Sequence, residues 1–166
     1  MKFSQVIFGV AAAASAVSAI DIWMYLEDKA CENHYVAMVC TGVNPGACCY
    51  YDGAGANSVG FRAIPKGWRL DLTGYSTKEC KGLLHSVGMV GPTDWCFKDD
   101  TGKNKNYRSG NYYFSSSPKK RSEAESSCVR ADTMVLPDGT KLDVSSLDEV
   151  AALELECKHR KRYSPR

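Results

Sequence analysis

The sequence predicts a mainly β, disulfide-rich domain: a small antiparallel sandwich or barrel with one C-terminal helix. Three observations carry this. Short β-prone runs are punctuated by Gly, Pro, Asn and Asp, eight cysteines follow an apolar leader, and a helix signature is found only after Ser146.

The strand candidates follow one another closely. Ile20 to Leu26 is rich in Ile, Trp and Tyr, Tyr35 to Cys40 is a second apolar run, and Ala47 to Tyr51 a third, with Gly42-Val-Asn-Pro-Gly46 as the turn-rich link between the last two. Asp52-Gly-Ala-Gly-Ala-Asn57 reads as a flexible turn. It has neither the Lys-Thr of a phosphate loop nor the spaced carboxylates of a calcium loop. Ser58 to Ile64 leads through Pro65-Lys66-Gly67 into Trp68 to Thr73, where Trp68, Leu70 and Leu72 alternate with Arg69, Asp71 and Thr73 as in a half-buried antiparallel strand. Leu83 to Val90, Trp95 to Phe97 and Tyr112 to Phe114 are shorter candidates, and Thr133 to Leu142 reads as a hairpin about Pro137-Asp138-Gly139. Trp23, Tyr25 and Trp68 are expected in the core rather than on a carbohydrate platform. At the end, Ser146-Leu-Asp-Glu149 matches a capping box. Leu147, Val150, Ala151, Leu155 and Cys157 gather on one helical side, although Leu153 to Cys157 also alternates as a strand would.

Residues 1–19 read as a signal peptide. Lys2 gives the positive start, Phe3 to Val17 the short apolar stretch and Val17-Ser18-Ala19 the small-residue cleavage pattern, so the expected mature N-terminus is Ile20, with a cut after Ala16 as the alternative. No later run is long and apolar enough for a membrane span, and stable insertion is not expected. In an oxidising compartment Cys31, Cys40, Cys48, Cys49, Cys80, Cys96, Cys128 and Cys157 would form four bridges of unknown pairing. If Ala47 to Tyr51 is a strand, Cys48 and Cys49 face opposite ways and bind different neighbours. The cysteines show no C-x-x-C pair, and no metal or other cofactor is expected.

Residues 20–166 are expected to form a single domain, monomeric, with a polar loop at 98–127 and a basic tail at 158–166. Removing Lys2 leaves 20 basic side chains against 19 acids, which argues against nucleic-acid binding by bulk charge. The charge is unevenly placed: 122–156 holds nine acids against Arg130 and Lys141, whereas Lys158, Arg160, Lys161, Arg162 and Arg166 crowd the end. That basic cluster is either a solvated tail or a docking segment for an acidic partner or anionic lipid, with Lys158, Arg160, Lys161 and Arg162 as its candidate residues. Within the polar loop, Lys119-Lys120-Arg121 before Ser122-Glu-Ala-Glu125 matches a fungal dibasic processing site, with cleavage after Arg121; an uncut surface loop is the alternative. His34, His85 and His159 could serve acid–base chemistry with Glu32, Asp71 or Glu79, but no catalytic signature accompanies them, and the chain is not expected to be an enzyme.

Five segments together resemble the necrosis-inducing secreted protein 1 family, small effectors exported by plant-associated fungi. They are Ile20-Asp-Ile-Trp-Met-Tyr25, Val39 to Cys49, Phe61 to Trp68, Gly74-Tyr75 before Cys80, and Asp132 to Lys141. The resemblance implies a protein that passes from the apoplast into the host cytoplasm and binds plant co-receptor and receptor-like cytoplasmic kinases. It further implies suppression of pattern-triggered immunity and host cell death at high dose. A secreted antimicrobial or killer-toxin-like protein is the alternative.

Overall fold

The computed structural model describes residues 19–28, 30–98, 106–116 and 127–163; the signal-peptide and dibasic-site readings fall outside these residues. Among the described residues eleven strands form two sheets and one helix follows them. The first sheet joins β1 (Ile20–Tyr25), β2 (Ala37–Val43), β4 (Ser58–Arg62), β7 (Trp95–Phe97), β10 (Thr133–Val135) and β11 (Lys141–Asp143) in the order β11-β10-β2-β1-β4-β7, every pair antiparallel. The second joins β3 (Cys48–Tyr50), β5 (Arg69–Tyr75), β6 (Leu83–Val90), β8 (Ser109–Phe114) and β9 (Cys128–Arg130) in the order β6-β5-β8-β3-β9, with only β3–β9 parallel. The helix α1 is Glu149–Tyr163. The architecture is a sandwich rather than a closed barrel.

The inner faces follow from strand periodicity. Ile20, Ile22 and Met24 of β1 and Val59 and Phe61 of β4 face Leu70 and Leu72 of β5 and Tyr112 of β8, all essentially buried in one apolar cluster. The sheets approach closely at Gly110 of β8, where a Cβ would lie 3.4 Å from the Ile22 side chain and 3.5 Å from Val59. Tyr112 spans the core and donates its hydroxyl proton to the Val43 carbonyl at 2.8 Å. On the outer face of the first sheet, Tyr25 and Cys31 form a second buried cluster with Ala37, against which Trp23 and Cys96 pack. Arg62 stacks over Tyr25, and Trp68 meets Phe114 edge to face.

Three disulfides brace this frame. Cys40–Cys49 crosses the core between β2 and β3, Cys48–Cys80 ties the other face of β3 to the β5–β6 loop, and Cys31–Cys96 pins the loop after β1 to β7. The vicinal pair therefore points to opposite faces, as the strand alternation requires. The expected fourth bridge is corrected: Cys128 and Cys157 are unpaired and exposed. Cys128 lies on the edge strand β9 and Cys157 on α1, whose tie to β9 runs through Arg130 and the carbonyls of Leu147 and Asp148, not through Cys157.

The hairpin forms as its turn residues dictate. Pro137 and Asp138 take the central turn positions, the Gly139 amide donates to the Leu136 carbonyl at 2.9 Å, and Gly139 adopts φ +83°, the left-handed conformation glycine tolerates without strain.

The helix differs from expectation in its cap and its buried side. Asp148, not Ser146, is the cap: its Oδ1 accepts the Ala151 amide at 2.8 Å, because Arg130 holds the carbonyls of Leu147 and Asp148 and so places the first turn two residues later. Ala152 and Glu156 are buried and Leu155 packs on the core, whereas Val150 and Cys157 face solvent. The helix continues to Tyr163, into the basic segment that begins at residue 158. Acids in its first half and Lys158, Arg160, Lys161 and Arg162 in its second complement the helix dipole, and most of its residues are good helix formers.

Candidate functional site

The chemistry-bearing side chains that the fold brings together lie where α1 meets the second sheet, and Asp52 organises them. This residue ends the β3 segment, and its carboxylate is only 12% exposed. One oxygen accepts from Lys78 Nζ at 2.7 Å and the other pairs with Arg130 Nε at 2.9 Å. Both cations are bifunctional. Lys78 also reaches Glu149 in the first helical turn at 3.4 Å, and Arg130 Nη1 donates to the Leu147 carbonyl at 2.7 Å. The Asp52 and Glu149 carboxylates hold the Lys78 ammonium above its ordinary range, the Asp52 hydrogen bond being the larger cause. Two charged contacts thus fix the start of a helix that has little apolar surface of its own.

A small crevice lies between the helix and the sandwich, lined by Met38, Tyr51 and Arg130 on one side and Ala152, Leu153 and Glu156 on the other. The glycine-rich turn closes one end and is pinned rather than free. The Gly55 amide donates to Tyr51 Oη at 2.7 Å, and Arg108 Nη2 donates to the Gly53 carbonyl at 3.0 Å. A Cβ on Gly53 would fall 2.2 Å from the Tyr51 ring and 2.9 Å from the Glu156 carboxylate, so only glycine lets the turn pass beneath the helix.

The residues expected to dock a partner all lie on α1. Lys158 is exposed on its third turn, and Arg160, Lys161 and Arg162 continue the same helix. The histidines keep separate company: His34 pairs with Glu32 outside the first sheet, His85 on β6 meets Tyr107 and Phe97, and His159 is on α1. Among the described residues no group of three or more His, Cys, Asp or Glu is placed to hold a metal ion. No helix there is long and apolar enough to cross a membrane.

Sequence reasoning missed the Asp52–Lys78–Arg130 cluster. Its members are 26 or more positions apart, and each reads alone as a solvated charge. The sole local sign was an acid directly after the apolar β3 run.

A family model named ARB_05566_N, described as an N-terminal domain, matches residues 21–132. The chain belongs to this family. The matched span holds β1 to β9 with all six bridged cysteines, while the β10–β11 hairpin and α1 lie beyond it, although β10 extends the first sheet through β2. No curated protein and no solved structure matches the chain.

Proposed function

We propose that this ARB_05566_N family member is a secreted effector that binds plant immune receptor-like kinases and suppresses pattern-triggered immunity, acting by stoichiometric binding without turnover. The observation that carries the reading is the placement of the basic run. Lys158, Arg160, Lys161 and Arg162 belong to a helix whose first turn is tied to the body through Lys78 and Arg130, so the cations extend from an anchored element. An anchored cationic helix loses less conformational freedom on docking than a loose tail and suits an acidic protein surface. The segments that resemble the necrosis-inducing family supply the second support. They fall on β1, on β2 to β3, on the β4–β5 connection, on the end of β5 and on the β10–β11 hairpin. On this reading the protein is exported, reaches the apoplast and then the host cytoplasm, and works as a monomer.

The test is capture of a purified co-receptor kinase domain and a receptor-like cytoplasmic kinase on immobilised protein. A variant with Lys158, Arg160, Lys161 and Arg162 all replaced by Ser is run beside it. Saturable binding at micromolar concentration or tighter, lost in the variant, supports the proposal. No kinase binding, together with arrest of microbial growth by the purified protein, refutes it in favour of the antimicrobial or killer-toxin-like alternative.

A further inference from the structure

The unpaired Cys128 is not isolated from other sulfur. It stands in register with Cys48 in the parallel β3–β9 ladder. In-register residues of neighbouring parallel strands point to the same face, and the strand spacing of about 4.8 Å lies inside the Cα separation a disulfide accepts. Cys48 is itself bonded to Cys80 and is fully buried, whereas Cys128 is exposed. Solvent thiols therefore have no direct approach to the Cys48 sulfur, but a neighbouring strand carries one to it.

We propose that Cys128, Cys48 and Cys80 form a thiol–disulfide exchange relay. The Cys128 thiolate attacks Cys48 Sγ, a Cys48–Cys128 bond forms, and the Cys48–Cys80 bond breaks. Cys80 leaves as thiolate and takes up the proton that Cys128 gave to solvent. The count of disulfides and thiols is unchanged, so no external oxidant or reductant enters.

The exchange moves a covalent tie between the two anchors of α1. In the described state Cys48–Cys80 holds the β5–β6 loop that carries Lys78, the partner of Glu149. In the exchanged state the bridge holds β9, which carries Arg130, the donor to the Leu147 carbonyl. The loop keeps its own hydrogen bonds, from the Ser76 amide to the Gly82 carbonyl and from the Thr77 amide to the Lys81 carbonyl, so it loses its staple without losing its turn. The bridge thereby changes partner at its buried Cys48 end through one exposed cysteine.

The experiment is peptide mapping. Oxidised full-length protein is held without oxygen at about pH 8, where thiolate is available, then quenched in acid, alkylated and digested. The relay predicts alkylated Cys80 together with a Cys48–Cys128 linked peptide, alongside the starting Cys48–Cys80 species. Cys128→Ser, an exposed change that leaves the core intact, should reduce Cys80 alkylation to background, and Cys157→Ser should leave it unchanged. Absence of the Cys48–Cys128 peptide from the parent overturns the proposal. So does persistence of Cys80 alkylation in Cys128→Ser, or its loss in Cys157→Ser.

Discussion

Removing Cys31–Cys96 by replacing both cysteines with alanine tests how far the frame relies on restraint of its unfolded chain. The bridge joins residues 65 apart, against 32 for Cys48–Cys80 and 9 for Cys40–Cys49. The chain-entropy relation then gives about 4.3, 3.7 and 2.6 kcal/mol at 25 °C. The first value carries the least admixture from lost core packing, because Cys31 and Cys96 belong to the small outer cluster beneath the loop rather than to the space between the sheets. With a urea slope of about 2 kcal/mol per molar for a domain of this size, the midpoint should fall by about 2 M. Urea titration followed by tryptophan fluorescence measures it, in a Cys128→Ser and Cys157→Ser background that prevents reshuffling. A midpoint shift below about 0.5 M at unchanged slope would refute the reasoning, since the denatured chain would then gain little freedom from losing its longest tether.

Three further outcomes follow from the geometry. Gly139→Val should cost about 1 to 2 kcal/mol by forcing a β-branched residue to φ +83° in open space, and Gly139→Asn distinctly less; thermal melts of the two variants check the turn. Asp52→Asn should cost about 1 to 2 kcal/mol and reduce helical circular dichroism by removing the charge that Lys78 and Arg130 share, whereas Glu149→Gln, at an exposed carboxylate, should cost under about 0.5 kcal/mol. Burial pushes the Tyr112 hydroxyl far above its ordinary value of 10.0, and Tyr25 and Tyr75 upward as well. The folded state thus binds more protons than the unfolded state once pH exceeds 10.0, so this stability is complete below that pH and declines above it. Tyr112→Phe should flatten the alkaline fall of the urea midpoint without abolishing it, at a cost near 1 kcal/mol at neutral pH for the lost bond to Val43.

The strands were legible because they alternate or carry β-branched and aromatic runs, and Leu70 and Leu72 bury as their spacing requires. The split of Cys48 and Cys49 needed only the strand period. What escaped was set by distant partners. Tyr35 to Cys40 was expected as a strand, yet β2 runs from Ala37 to Val43, because pairing with β1 and the Asp132 carboxylate on the Thr41 amide carry it past Cys40. β9 is three residues long and exists through its parallel ladder with β3, so Cys128-Val-Arg130 carries no strand signal alone. The helix start was misplaced because Arg130, not a local Ser146 cap, decides it. The count of cysteines gave an even number without showing that two would stand apart on separate elements.

Titration of a plant immune co-receptor kinase with the purified oxidised protein tests the central claim most directly. Binding without turnover predicts that autophosphorylation falls in proportion to added protein and saturates near one molecule per kinase, with nothing consumed. Undiminished autophosphorylation at saturating micromolar protein, or catalytic hydrolysis of an RNA or glycan substrate by the same preparation, would contradict it.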